Sequence, residues 1–175
     1  MEKFGNFFKE MITTILLALV LALVIRAFVV EARVIPSGSM LPTIEEGDRV
    51  MVNKIVYHMR EPKRGEIIVF EAPIIMGDTR DDFIKRVIGL PGETVEVKEG
   101  KVFINGTALE EDYIAEVPDY VFGPVKVPED GLFVMGDNRN SSYDSHLWGK
   151  WLRLDKVKGE AFIRYWPLDR VGKII

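Results

Sequence analysis

The chain has 175 residues, with 23 Lys and Arg against 27 Asp and Glu for a formal net charge of −4, no Cys and 2 His. That length fits one modest domain with appendages, and the mildly acidic balance argues against a nucleic-acid surface. Without cysteine there is no disulfide, no thiolate nucleophile and no Cys-ligated zinc, and His58 and His146 lie too far apart in sequence to suggest a histidine metal site.

The first element in chain order is apolar. No residue from Met11 to Ile25 is charged, Arg26 interrupts the run, and Ala27 to Val30 resume it. At roughly 1.5 Å per residue, a helix over 11–30 extends about 30 Å, the thickness of a bilayer core. Arg26 lies near one end, where its stem can snorkel to the interface. Lys3 and Lys9 ahead of the run, and Val30-Glu31-Ala32 after it, also fit a cleaved export signal. The run is long for a signal core and Glu31 with Arg33 makes a poor cleavage site, so the reading is an uncleaved anchor. The four residues after Arg26, Ala27-Phe28-Val29-Val30, equally suit the start of a strand, and the positive charges on the two sides do not settle the orientation.

Beyond the anchor lies Pro36-Ser37-Gly38-Ser39-Met40-Leu41-Pro42-Thr43. Ser, Gly and Pro are turn residues, and a turn is the simplest reading. A serine in a proline-restricted loop beside a glycine also suits a nucleophile, if a base lies within reach. The chain then reads as short strands. They are Arg49–Ile55, Gly65–Phe70, Thr94–Lys98, Val102–Ile104, Val125–Val127, Leu132–Met135 and Glu160–Trp166, with Glu99-Gly100 and Asn105-Gly106 as turns. The pattern predicts a mainly β chain: one N-terminal transmembrane helix, then an all-β barrel or sandwich over 31–175. A small β lobe inserted at 93–130 completes it.

Two further segments carry chemistry. In a strand over Phe83-Ile84-Lys85-Arg86-Val87, the side chains of Phe83, Lys85 and Val87 share a face, which turns Lys85 toward apolar neighbours. Burial lowers a lysine pKa from near 10.4 by up to several units, so such an amine can act as a base. The plain alternative is that Lys85 and Arg86 form a solvated basic pair. The segment Gly136-Asp137-Asn138-Arg139-Asn140-Ser141-Ser142-Tyr143-Asp144-Ser145-His146-Leu147-Trp148-Gly149 is a loop dense in hydrogen-bonding groups. His146 with Asp144 raises a Ser-His-Asp arrangement, although the two adjoin in sequence and His146 suits a surface position equally well.

Taken together, the anchor, the Ser37–Met40 loop, Gly47–Tyr57, Arg64–Phe70, Phe83–Gly92 and Gly136–Gly149 resemble bacterial type I signal peptidases, membrane-anchored Ser-Lys proteases. The resemblance implies Ser39 as nucleophile and Lys85 as general base, with the Ser37 hydroxyl and the Ser39 N–H as oxyanion hole. Ser142 matches a hydroxyl that orients the lysine amine, Asp144 a supporting acid, and Asp137 or Asp144 a partner for Arg86. Ile35, Met40, Ile44, Val69, Phe83 and Ile84 match the walls of pockets that accept small residues one and three positions before the cut. His146 stands where many relatives carry arginine. Lysine rather than histidine at position 85 points to the bacterial kind, not that of the endoplasmic reticulum.

The implied enzyme needs no metal or organic cofactor and acts on signal-peptide-bearing preproteins at the cell membrane, near the export translocon and without nucleic acid. Residues 1–10 would lie in the cytoplasm, 11–30 in the bilayer and 31–175 outside. Another Ser-Lys protease, such as a self-cleaving repressor relative or a dedicated processor, is the enzymatic alternative. A membrane-anchored β domain that binds peptides is the non-enzymatic one.

Overall fold

The computed structural model describes residues 2–72, 82–149 and 151–174. Helix α1 covers Glu2–Phe28, after which β1 (Val30–Val34) begins at once. Of the four residues after Arg26, Ala27 and Phe28 stay in the helix and only Val30 enters the strand, so the helix ends before the expected position 30. Among the described residues no helix is long and apolar enough to cross a membrane. The part of α1 whose side chains are described includes Lys9 and Glu10 near one end and Arg26 near the other.

The strands that follow are β2 (Arg49–Asn53), β3 (Ile67–Glu71), β4 (Asp82–Gly89), β5 (Thr94–Lys98), β6 (Lys101–Ile104) and β7 (Thr107–Ala108). Then come β8 (Phe122–Lys126), β9 (Gly131–Met135), β10 (Leu152–Arg153), β11 (Val157–Trp166) and β12 (Gly172–Lys173). Short helices α2 (Val56–Met59) and α3 (Ser145–Trp148) lie between them. One antiparallel sheet runs β1-β2-β11-β3-β4-β9-β10, with β12 also on β11. A second runs β7-β6-β5-β8. Among the described residues the two ends of neither sheet pair with each other, so the hydrogen-bonded order described is open.

The second sheet is made by two hairpins whose two-residue turns, Glu99-Gly100 and Asn105-Gly106, all take positive φ. That is the backbone a twisted two-residue hairpin requires, and Gly and Asn reach it at least cost.

Strand alternation divides the core. Ile67 and Val69 of β3 join Ile35, Met40, Ile44, Val50, Val52, Ile84 and Ala161 in one cluster. The opposite face of β3, Ile68 and Phe70, packs with Val87, Leu132, Val134, Trp148 and Leu152. On β9, Phe133 and Met135 turn the other way and meet Val95, Val97, Val102 and Ile104 of the second sheet and Val127 just after β8. A continuous apolar run is what a strand buried on both faces requires. This places β4, the carrier of Lys85, between β3 and β9 with apolar layers on either side.

Strand β11 pairs with both β2 and β3, and Gly159 lies where these neighbours are closest. A Cβ there would sit 2.4 Å from the Asn53 carbonyl oxygen and 2.8 Å from Val52 Cγ1. Gly159→Ala is expected to destabilise the fold by about 1–3 kcal/mol, the usual cost of overpacking. Thermal unfolding checks this, and an unchanged midpoint would contradict the tight β2–β11 packing.

Candidate active site

The loop after β1 is fixed at both ends by backbone bonds: Ile35 N–H donates to Asp48 O and Gly47 N–H to Ile35 O. Within it, Gly38–Met40 form a single 3₁₀ turn with Ser39 at its middle. Met40 and Ile44 are wholly buried beneath the turn and hold it down. Asp48, also buried, accepts from the Glu45 N–H and from Arg164 and Arg170 near the C-terminus. The serine loop is thus tied to the far end of the chain.

Strand β4 brings Lys85 to this turn. Its Nζ lies 2.7 Å from Ser39 Oγ and donates to the Ile84 carbonyl at 3.0 Å. Lys85 is only 4 % exposed, with Nζ 5.5 Å from the centre of the Phe83 ring. The solvated-pair alternative is therefore excluded for both residues, since Arg86 is 2 % exposed. Burial lowers the Lys85 pKa to about 8, against the opposing pull of Asp144 and Asp137. Near neutral pH a usable fraction of this amine carries no proton.

The loop after β9 completes the constellation. Asp137 takes both arms of Arg86, from Nε at 2.8 Å and Nη2 at 2.6 Å, and a further bond from Thr43 Oγ1 at 2.6 Å. Asp137, not Asp144, is thus the partner of Arg86. Asp144 accepts from the Gly136 N–H and pairs with His146 Nδ1 at 2.6 Å. His146 also stacks on Tyr120, with ring centres 4.2 Å apart. It is a largely enclosed partner of Asp144 rather than a surface residue, and the Ser39 hydroxyl faces Lys85 instead, which removes the Ser-His-Asp arrangement.

Ser142 is buried, yet its Oγ has no hydrogen-bond partner in the structure. The amine it was expected to orient is held by Ser39 and Ile84. Ser142 packs against Gly136, where an added Cβ would lie 2.3 Å from both Ser142 Oγ and the Ser39 carbonyl oxygen. The Ser37 hydroxyl is at the exposed mouth, 3.5 Å from Ser39 Oγ, and caps no backbone group of the turn.

Above Ser39 and Lys85 opens a cleft of about 790 Å³. Of the six residues expected on its walls, Ile35, Val69, Phe83 and Ile84 line it. Met40 and Ile44 do not, because both are wholly buried, whereas the cleft-lining residues of the same core cluster keep a few per cent of their surface exposed. Arg33, Asp82, Asn138, Ser141 and Tyr143 line it as well, and sequence reasoning passed over them. Asn138 is the most consequential omission: its side-chain amide donates to Gly38 O and its N–H to Ser39 O, clamping the serine turn from across the cleft. Its place directly after Asp137 was the available signal.

Comparison with known proteins places the chain in a family. Residues 8–166 match the family model described as signal peptidase, peptidase S26. A protein named signal peptidase I from Leptolyngbya laminosa is 54% identical over 169 residues, covering 94% of this chain and 83% of its own. Thylakoidal processing peptidase 1 of Arabidopsis thaliana is 40% identical over 165 residues, covering 90% of this chain and 48% of its own. A crystal structure of a signal peptidase I from Enterococcus faecalis V583 superposes with a TM-score of 0.50 at 35% identity, over 58% of this chain and 97% of that one. The chain belongs to the signal peptidase family, peptidase S26.

Proposed function

We propose that this serine endopeptidase removes N-terminal signal peptides from exported preproteins, with Ser39 as nucleophile and Lys85 as general base. The single observation that carries the reading is the 2.7 Å contact between Ser39 Oγ and a buried, pKa-lowered amine. The neutral amine accepts the Ser39 proton as Oγ attacks the scissile carbonyl carbon, and the resulting ammonium then protonates the leaving amine. A water molecule, deprotonated by the same lysine, attacks the acyl ester and releases Ser39 and the new carboxylate. The Ser39 N–H and the Ser37 hydroxyl stabilise the tetrahedral oxyanion. Asp137 and Arg86 neutralise each other beside the base, and Asn138 holds the serine turn and the loop after β9 against one another.

The part of α1 from Met11 to Phe28 serves in this reading as a bilayer anchor, with 1–10 cytoplasmic and 31–175, including the lobe at 93–130, outside. Support comes from the uncharged run Met11–Ile25 within α1 and from its outward apolar side chains, such as Leu17 and Leu21. A helix that is apolar all round and does not pack on a core suits lipid. Such an anchor sets the cleft near the membrane, where preproteins emerge from the translocon.

Incubating the purified protein with a preprotein and sequencing the new amino terminus tests the activity. Ser39→Ala and Lys85→Arg are expected to abolish cleavage with folding retained, because arginine cannot give up its proton at usable pH. Ser37→Ala should keep a residue of activity, reduced about 10²–10³-fold by the loss of one oxyanion donor. The Lys85 amine must be neutral to work, so kcat/KM should rise with pH through about 8 and then level. A flat profile from pH 6 to 10, or an active Lys85→Arg, would overturn the assignment.

Substrate choice follows from the apolar walls. Ile84 lines the cleft and also touches the core, so trimming it enlarges the pocket from below. Ile84→Ala is expected to permit cleavage after residues larger than alanine, with little loss on alanine substrates. Product mapping over peptides varied one and three positions before the cut reads this out. Unchanged selectivity with lowered stability would make Ile84 core alone.

A further inference from the structure

The stretch between β7 and β8 forms no strand, yet it is fastened to the loop after β9 at several points. Glu111 takes both arms of the buried Arg139, at 2.5 and 2.6 Å, and Arg139 Nε donates in turn to Gly136 O. Asn140 donates to Val117 O and accepts from the Asp119 N–H. At the centre stands Tyr113. Its hydroxyl donates to Glu111 at 2.6 Å, and its ring lies 3.8 Å from the Arg86 guanidinium carbon and 5.8 Å from that of Arg139.

We propose that Tyr113 is a positioning residue of the active site, whose ring holds the Arg86 guanidinium on Asp137 and thereby limits the negative charge that reaches the Lys85 amine. The guanidinium is held in its plane by Asp137, Gly65 O and Thr43 Oγ1, while the ring covers its face. A planar cation so held cannot tilt away from the carboxylate, and ring contact with arginine is favourable in its own right. Asp137 and Asp144, both from the loop after β9, are the carboxylates that act on Lys85. Asp144 has His146 as its partner, and Asp137 has Arg86. Facing Tyr113 itself are Arg86, Arg139 and Glu111. Remove the ring, and Arg86 gains freedom to tilt. The Asp137 charge then stabilises the lysine ammonium, so the base stays protonated to higher pH.

This inference rests on Lys85 as the base. The test is a pH profile of peptide cleavage from pH 6 to 10 with the full chain in detergent, comparing wild type, Tyr113→Leu and Tyr113→Phe. Tyr113→Leu should shift the acidic limb of kcat/KM upward by about half a pH unit or more. Its kcat should fall near pH 7 and recover toward wild type at pH 10, with KM little changed. Tyr113→Phe, which keeps the ring, should restore the wild-type limb. If Tyr113→Leu loses its fold by circular dichroism, Tyr113→Met carries the same expectation, since it fills space without a π face. A limb unmoved in the ring-less variant, or moved equally in Tyr113→Phe, would overturn the role of Tyr113. A wild type with no rise in activity through this pH range would instead overturn the Lys85 reading beneath it.

Discussion

An amine buried among apolar side chains is expensive to charge, and the rest of this active site depends on that cost being applied at Lys85. Desolvation pulls its pKa down while two carboxylates pull it up, and burial wins, leaving a value of about 8. Were the amine exposed it would be protonated at neutral pH, and its contact with Ser39 would be an ordinary hydrogen bond with no catalytic use. Were it buried with no carboxylate near, it would be a weaker base and would take the serine proton less readily. The apolar layers on both sides of β4 therefore act on the chemistry as well as on stability.

The carboxylates are themselves held in check. Each has a partner of its own, Arg86 for Asp137 and His146 for Asp144, and each also bonds a group of the catalytic loops, Thr43 or the Gly136 N–H. Breaking a buried pair by removing one member leaves a bare charge, which is costly and here also falls beside the base. Arg139 with Glu111 repeats the arrangement one step farther from the serine. The loops carrying Ser39 and Asp137 meet through Asn138, so the nucleophile and the charges around its base are positioned by one network.

Much of this was legible in the chain, for local reasons. Alternation placed Lys85 between Phe83 and Val87, and the turn dipeptides gave the hairpins of the second sheet. Residue-by-residue similarity supplied the pairing of Ser39 with Lys85, which are 46 positions apart. Long-range order was not legible: nothing local says that β11 enters between β2 and β3, so the open order of the sheet could not be told from a barrel. Met40 and Ile44 are apolar neighbours of the serine, but Met40 at the end of the 3₁₀ turn and Ile44 beyond it are wholly buried in the core, away from the cleft. The sequence leaves His146 equally suited to a surface position, because nothing local shows how Asp144 turns. An N-terminal cap folds its side chain back over the first helical turn, and that is what brings Asp144 onto His146. Glu111 and Tyr113 sit in the stretch read only as a small inserted lobe, and their partners come from β4 and the loop after β9.

The most direct test of the account is a titration of the Lys85 side chain by NMR, with ¹³C label at lysine Cε and assignment through Lys85→Arg. The account predicts a midpoint near 8, separate from the other lysines. A midpoint near the ordinary 10.5 would contradict it, because the amine would then be charged at working pH and could not accept the proton of Ser39.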